Sequence, residues 1–219
     1  MSHLRRIEWA LALGAVVVFV GCQGAPPRDD SVFLAHQPRS ILVLPPLDRT
    51  LEPAASYGAL ETITRPLAEQ GYYVFPVALV DAMMRENGLP TPDEMHAVPL
   101  PKLAEIFAPD AVLYLTVHEW GTSYQVVNSA TTVTLEGRLV DADTGLDLWA
   151  GRATAVKSSG NGGGGLAGLL ADALVTQISS SVYDPTPEVA RVATDRLLVD
   201  PSVGLLIGPR HPEFGEAKR

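Results

Sequence analysis

Ser40-Ile41-Leu42-Val43-Leu44-Pro45-Pro46 is the stretch on which the fold turns. Its apolar residues run on without alternation, as in a strand covered on both faces, and the two prolines end it. Tyr57, Leu60, Ile63, Thr64 and Leu67 then recur at helical spacing, with Gly71 where a helix stops. Pro66 inside this run predicts a kink or a split. Tyr72-Tyr73-Val74-Phe75 reads as a second strand closed by Pro76, and Val80, Met83, Met84 and Asn87 mark a second helix ending at Gly88. The β-α-β-α order predicts a parallel pair with a crossover between its members.

Outward from this half, residues 89–101 carry Pro90, Pro92, Pro99 and Pro101 and are expected to form a long exposed connection. A short helix through Leu103 and Phe107 follows, then a third buried strand from Ala111 to Val117. Val133, Leu135 and Leu139 alternate with Thr132, Thr134, Glu136 and Arg138, the pattern of an antiparallel strand with one wet face. Asp141-Ala142-Asp143-Thr144-Gly145 reverses the chain, and Leu146 to Val156 returns as the hairpin partner. Gly160–Gly165 reads as a joint, Leu166 to Ile178 as an amphipathic helix, and Pro187 as the opening of a last helix reaching about Leu198. The fold class is therefore α/β (α+β): a mixed sheet with a β-α-β-α first half, an antiparallel hairpin, and helices packed on the sheet.

The amino end is a targeting segment. Arg5 and Arg6 precede an apolar run of 12 residues, Trp9 to Val20, followed by Gly21 and Cys22. A spanning helix needs about 20 apolar residues, so the run is too short to cross a bilayer. Phe19-Val20-Gly21-Cys22 resembles a bacterial lipobox, with Phe19 where Leu is usual. The resemblance implies cleavage before Cys22 and a lipidated Cys22, carrying three acyl chains with palmitate among them. It also implies an anchor in the membrane, and Gln23, which is not an Asp, favours outer-membrane sorting. This divides the chain into a signal peptide (1–21), a lipidated tether (22–38), an α/β domain (39–200) and a C-terminal tail (201–219).

The 219 residues suit one compact domain with tails, and 47% hydrophobic content is enough to fill its core. A net charge of −9 argues against nucleic acid as a partner. One Cys rules out an internal disulfide or a multi-Cys zinc site. Gly160, Gly162 and Gly165 match GxGxxG in letters, but the strand before them belongs to a hairpin and not to a βαβ unit, so a linker is the reading. Asp141, Asp143, Gly145 and Asp147 fall short of a calcium loop because Arg152 stands where a bidentate Glu is required. His118-Glu119 has Thr122 in place of the second zinc histidine. No catalytic residue, cofactor or metal is assigned.

Several stretches resemble the GNA1162 family of Gram-negative lipoproteins, also called the domain-of-unknown-function 799 family. They are Ile41 to Pro46, Pro66 to Leu79, Asp110 to Leu115 with Trp120-Gly121, and Gly204 to Pro212. The resemblance implies a domain similar to the amino-terminal domain of TolB, self-association, and neighbourhood with a CsgG-type outer-membrane lipoprotein. It brings no enzymatic residues.

The primary reading is thus a non-enzymatic, lipid-anchored assembly module facing the periplasm. Two alternatives stay open: a periplasmic hydrolase built around His118 and Ser123, and a small-ligand or glycan binder using Tyr72, Tyr73 and the 89–101 connection. In the tail, Leu205, Leu206 and Ile207 are too apolar for solvent, and Arg210 and His211 stand ready for an acidic surface. These five are the candidate interaction residues. The apolar three are expected to dock either on the sheet edge as a last strand or on a partner.

Overall fold

The computed structural model describes residues 29–124, 129–159 and 184–215. The signal peptide, Cys22, the glycine joint and the 166–178 helix expected above lie outside these residues. The elements are α1 (Ser31–His36), β1 (Ser40–Val43), β2 (Leu47–Asp48), α2 (Ala55–Glu69), β3 (Tyr73–Val74) and α3 (Val77–Glu86). There follow α4 (Pro92–His96), α5 (Leu100–Phe107), β4 (Ala111–Tyr124), β5 (Ser129–Asp141), β6 (Asp147–Ser159) and α6 (Thr186–Leu198). The six strands form one mixed sheet in the order β3-β1-β4-β5-β6, with β2 also on β4. β1 lies parallel to β3 and to β4, while β4, β5 and β6 are antiparallel.

The unbroken apolar run of β1 is explained by cover on both sides. Ile41 and Val43 face a cluster with Leu60, Ile63 and Leu67 of α2 and Val189, Ala193 and Leu197 of α6. Leu42 and Leu44 face the opposite way, onto Val80, Met84, Met95 and Leu103. Asp110 pins the start of β1: its Oδ2 accepts from the Arg39 N–H, the Ser40 N–H and the Ser40 hydroxyl at 2.9, 2.8 and 2.9 Å.

Pro66 neither splits nor ends α2, which runs on to Glu69. It sits in the last turn, where a missing N–H costs one bond and little follows to be broken. The helix stops at Gly71, whose φ is +90°. Its N–H donates to the Ala68 carbonyl (3.0 Å) and the Tyr72 N–H to that of Leu67 (3.1 Å), the paired bonds of a Schellman stop.

The 89–101 segment is not a long loop. Thr91 caps α4: its hydroxyl accepts the Glu94 N–H (3.3 Å), and the Glu94 carboxylate takes the Thr91 N–H (3.0 Å). Pro92 is the first helical residue, where a proline is favoured because its nitrogen would have no partner anyway. Met95 is then buried under the sheet. The hairpin is also longer than its apolar residues suggest, because β4 continues through polar residues to Tyr124. A register shift between Val117 and Glu119 lets it. Thr134, expected on the wet face, is buried and is satisfied by Glu119 (2.5 Å) and Thr154 (2.9 Å). Among the described residues, no helix is long and apolar enough to cross a membrane.

Thr91→Ala should remove the capping bonds of α4 and cost about 1 kcal/mol of stability in a urea titration. A variant as stable as the wild type would show that this helix is held by Met95 packing alone.

Candidate interaction surface

The tail docks on its own domain without becoming a strand. Leu205 enters the core at 5% exposure, and Leu206 packs half-buried beside it. Ile207 is half-buried. The receptor is made of residues that the sequence pattern had given other duties. The Trp149 Nε1–H donates to the Val203 carbonyl (2.7 Å), the Leu205 N–H to that of Leu198 (2.9 Å), and the Tyr72 hydroxyl to that of Leu206. Gly208 and Arg210 then donate their N–H groups to the carbonyls of Gln70 (2.7 Å) and Gly71 (3.2 Å).

This approach is close enough to exclude side chains. A Cβ on Gly71 would stand 2.3 Å from the His211 nitrogen, and one on Gly208 would stand 2.8 Å from the Tyr72 ring. Burial pushes the Tyr72 phenol pKa up, so the hydroxyl is a permanent donor at physiological pH. Beyond this clamp the chain turns outward. Arg210 is exposed and lies over the Tyr73 ring, 5.7 Å from its centroid. His211 is half-buried, with its Nδ1 accepting the Glu213 N–H (3.2 Å).

Tyr72 and Tyr73 therefore do not line a binding cleft: one is buried under the tail and the other stacks beneath Arg210. The 89–101 connection expected to join them holds helix α4 and the start of α5. The hydrolase alternative also lacks its geometry. His118 Nε2 meets Glu136 Oε2 across the strand pair at 2.7 Å, whereas Ser123 lies five residues on, roughly 16 Å along the same strand. The Asp141 turn is ordinary turn chemistry, with the Asp141 carboxylate accepting from the Thr144 N–H (2.8 Å) and hydroxyl (2.7 Å). Among the described residues, no group of three His, Cys, Asp or Glu side chains is placed to hold a metal.

A polar hollow of about 240 Å³, unmarked by any motif, lies between α4 and the β4–β5 pair. His96, Tyr114, Thr116, Glu136 and Arg138 line it. Its charges are largely matched: Arg138 meets Asp147 (2.9 Å), and Glu136 meets His118 (2.7 Å) and Arg152 (3.8 Å). His96 bonds the Pro45 carbonyl through Nε2 (2.9 Å) and stands edge-on to Tyr114. Burial holds its pKa below the ordinary value, outweighing the opposing effect of the Pro45 bond.

Tyr72→Phe leaves the Leu206 carbonyl without its buried donor and should cost about 1–3 kcal/mol; an unchanged urea midpoint would mean that the tail is held by its apolar residues alone. For His96 the unfolded chain binds a proton more readily near its ordinary pKa of about 6.5. Its contribution is therefore full above that value and is lost as pH falls through the lower folded value. The wild type should lose stability between pH 7 and 5 more steeply than His96→Gln, and equal slopes would contradict this.

Comparison with known proteins agrees with this architecture. The sequence model of the family described as "Putative lipoprotein GNA1162-like" matches residues 28–210. The "Putative lipoprotein NMB1124/NMB1162" of Neisseria meningitidis serogroup B (strain ATCC BAA-335 / MC58) is 44% identical over 206 residues, covering 93% of this chain and 96% of that protein. The crystal structure of lipoprotein GNA1162 from Neisseria meningitidis superposes with a TM-score of 0.54 at 46% identity, over 65% of this chain and 99% of that one. This chain belongs to the GNA1162-like lipoprotein family.

Proposed function

We propose that the protein is an outer-membrane lipoprotein, anchored through lipid on Cys22 and facing the periplasm. There it acts as a non-enzymatic assembly module that self-associates and works beside a CsgG-type lipoprotein in an envelope complex. The observation that carries this reading is the single Cys of the chain, standing directly after a short apolar run and Gly21, in a member of a lipoprotein family. Three acyl chains would make anchoring effectively permanent, since one chain alone binds only marginally and each buried CH₂ adds about 0.8 kcal/mol. The domain is acidic, so lipid and not a basic patch would hold it at the membrane. The tail supports the module role: Leu205 and Leu206 are committed to the domain, which leaves exposed Arg210, with half-buried His211 beside it, as the residues offered to a partner.

Cys22→Ser should release the protein into the soluble periplasmic fraction or leave it unprocessed, as read by density-gradient fractionation of the envelope. A Ser variant that is cleaved normally and still sediments with outer membrane would overturn the lipoprotein reading.

A further inference from the structure

Between α3 and α5 lies an open apolar hollow of about 240 Å³ with Met84 and Leu103 in its lining. Met83 and Ile106 also line it and are 41% and 51% exposed. Leu79, one helical turn before Met83, is 68% exposed. The hollow does not end at α5. Phe107 stands edge-on to Phe75 at 6.3 Å, and Phe75 edge-on to Tyr73 at 5.3 Å. Arg210 closes the row, 5.7 Å above Tyr73. An apolar strip therefore runs from the helices to the sheet edge and ends at a cation.

Arg49, Arg65, Arg85, Arg138 and Arg152 each meet a carboxylate. Arg210, like Arg39, Arg191 and Arg196, makes no ion pair with a carboxylate among the described residues, and it alone of these four lies over an aromatic ring of the strip, on a chain whose net charge is −9. It is held in place by the docked tail, through the bond of its own N–H to Gly71.

The geometry points to this strip as the docking site for an amphipathic segment of another protein, one that carries aliphatic side chains for the hollow and a carboxylate for Arg210. The inference rests on the assembly role proposed above and names the surface and the chemistry of its partner. Steps of 5.7, 5.3 and 6.3 Å put Arg210 at most about 17 Å from Phe107, a span that a helix covers in roughly 11 residues. Helix-in-groove recognition uses such spacing, and methionines in the wall adapt to the side chains inserted. A second globular copy fits less well. Two copies would bring like net charges together.

Photo-cross-linking of the full lipidated protein in intact cells tests this, with p-benzoylphenylalanine at Leu79 and, as a control, at exposed Val156 on β6. The Leu79 probe should capture a segment of a different protein. Peptide sequencing should find an Asp or Glu in the captured segment. Arg210→Glu should lower the yield roughly tenfold, and reversing the partner's acidic residue to Arg should restore it. Capture only of a second copy of this chain, or a yield indifferent to Arg210→Glu, would overturn the inference. Adducts at Val156 with none at Leu79 would reject this surface and keep the assembly role, whereas adducts at neither would count against both. Circular dichroism of Arg210→Glu, expected to match the wild type because the side chain is exposed, separates lost docking from lost folding.

Discussion

The C-terminal segment is held by the place where α2 ends. A helix leaves its last carbonyls without partners, and most chains satisfy them with water or with the turn itself. Here the carbonyls of Gln70 and Gly71 accept N–H groups from Gly208 and Arg210, and Tyr72 donates its hydroxyl to the Leu206 carbonyl. Two glycines make that contact possible, since a Cβ on either Gly71 or Gly208 would stand inside a neighbouring atom. The consequence reaches both ends of the account. Leu205 completes the core from more than a hundred residues away in sequence, and Arg210 acquires a fixed position over Tyr73.

The sheet divides the labour between its faces. On one face α2 and α6 cover the parallel strands and much of the long antiparallel pair, with Trp149 and Leu139 in the same cluster as Leu197. On the other, the short helices α3 to α5 cover only β1 and the beginning of β4. The rest of that face carries Glu136, Arg138 and Arg152, which pair with neighbours across the strands and remain wet. Tyr73, Leu79, Met83 and Ile106, four of the exposed apolar residues, lie where the short helices meet the sheet edge. Arg210 stands at the end of that row, over the Tyr73 ring.

What the amino-acid pattern made legible was the two-sided strand at Ile41–Leu44, the stop at Gly71, and the hairpin on either side of the Asp141 turn. Each has a local physical cause that needs no tertiary partner to be read. The α4 helix was obscured because four prolines outweighed the Thr91–Glu94 capping box, although both point to a helix start at Pro92. The far half of β4 was missed because Glu119 and Thr122 find their partners only across the sheet, in Thr134 and Thr131. The tail was recognised as too apolar for solvent, but its receptor joins Tyr72, Trp149 and Leu198, residues brought together only by the fold. The polar hollow at His96 and the strip from Met83 to Arg210 are likewise products of assembly and correspond to no spacing along the chain.

The claim on which these conclusions converge is that the tail is docked in cis and thereby positions Arg210. Amide hydrogen exchange of the full lipidated protein, read residue by residue over 203–211, tests it most directly. The account predicts that Leu205, Gly208 and Arg210 exchange slowly, on the scale of Tyr72, because their N–H groups donate to Leu198, Gln70 and Gly71. Exchange of these three at the rate of an open chain, with Tyr72 still protected, would contradict it.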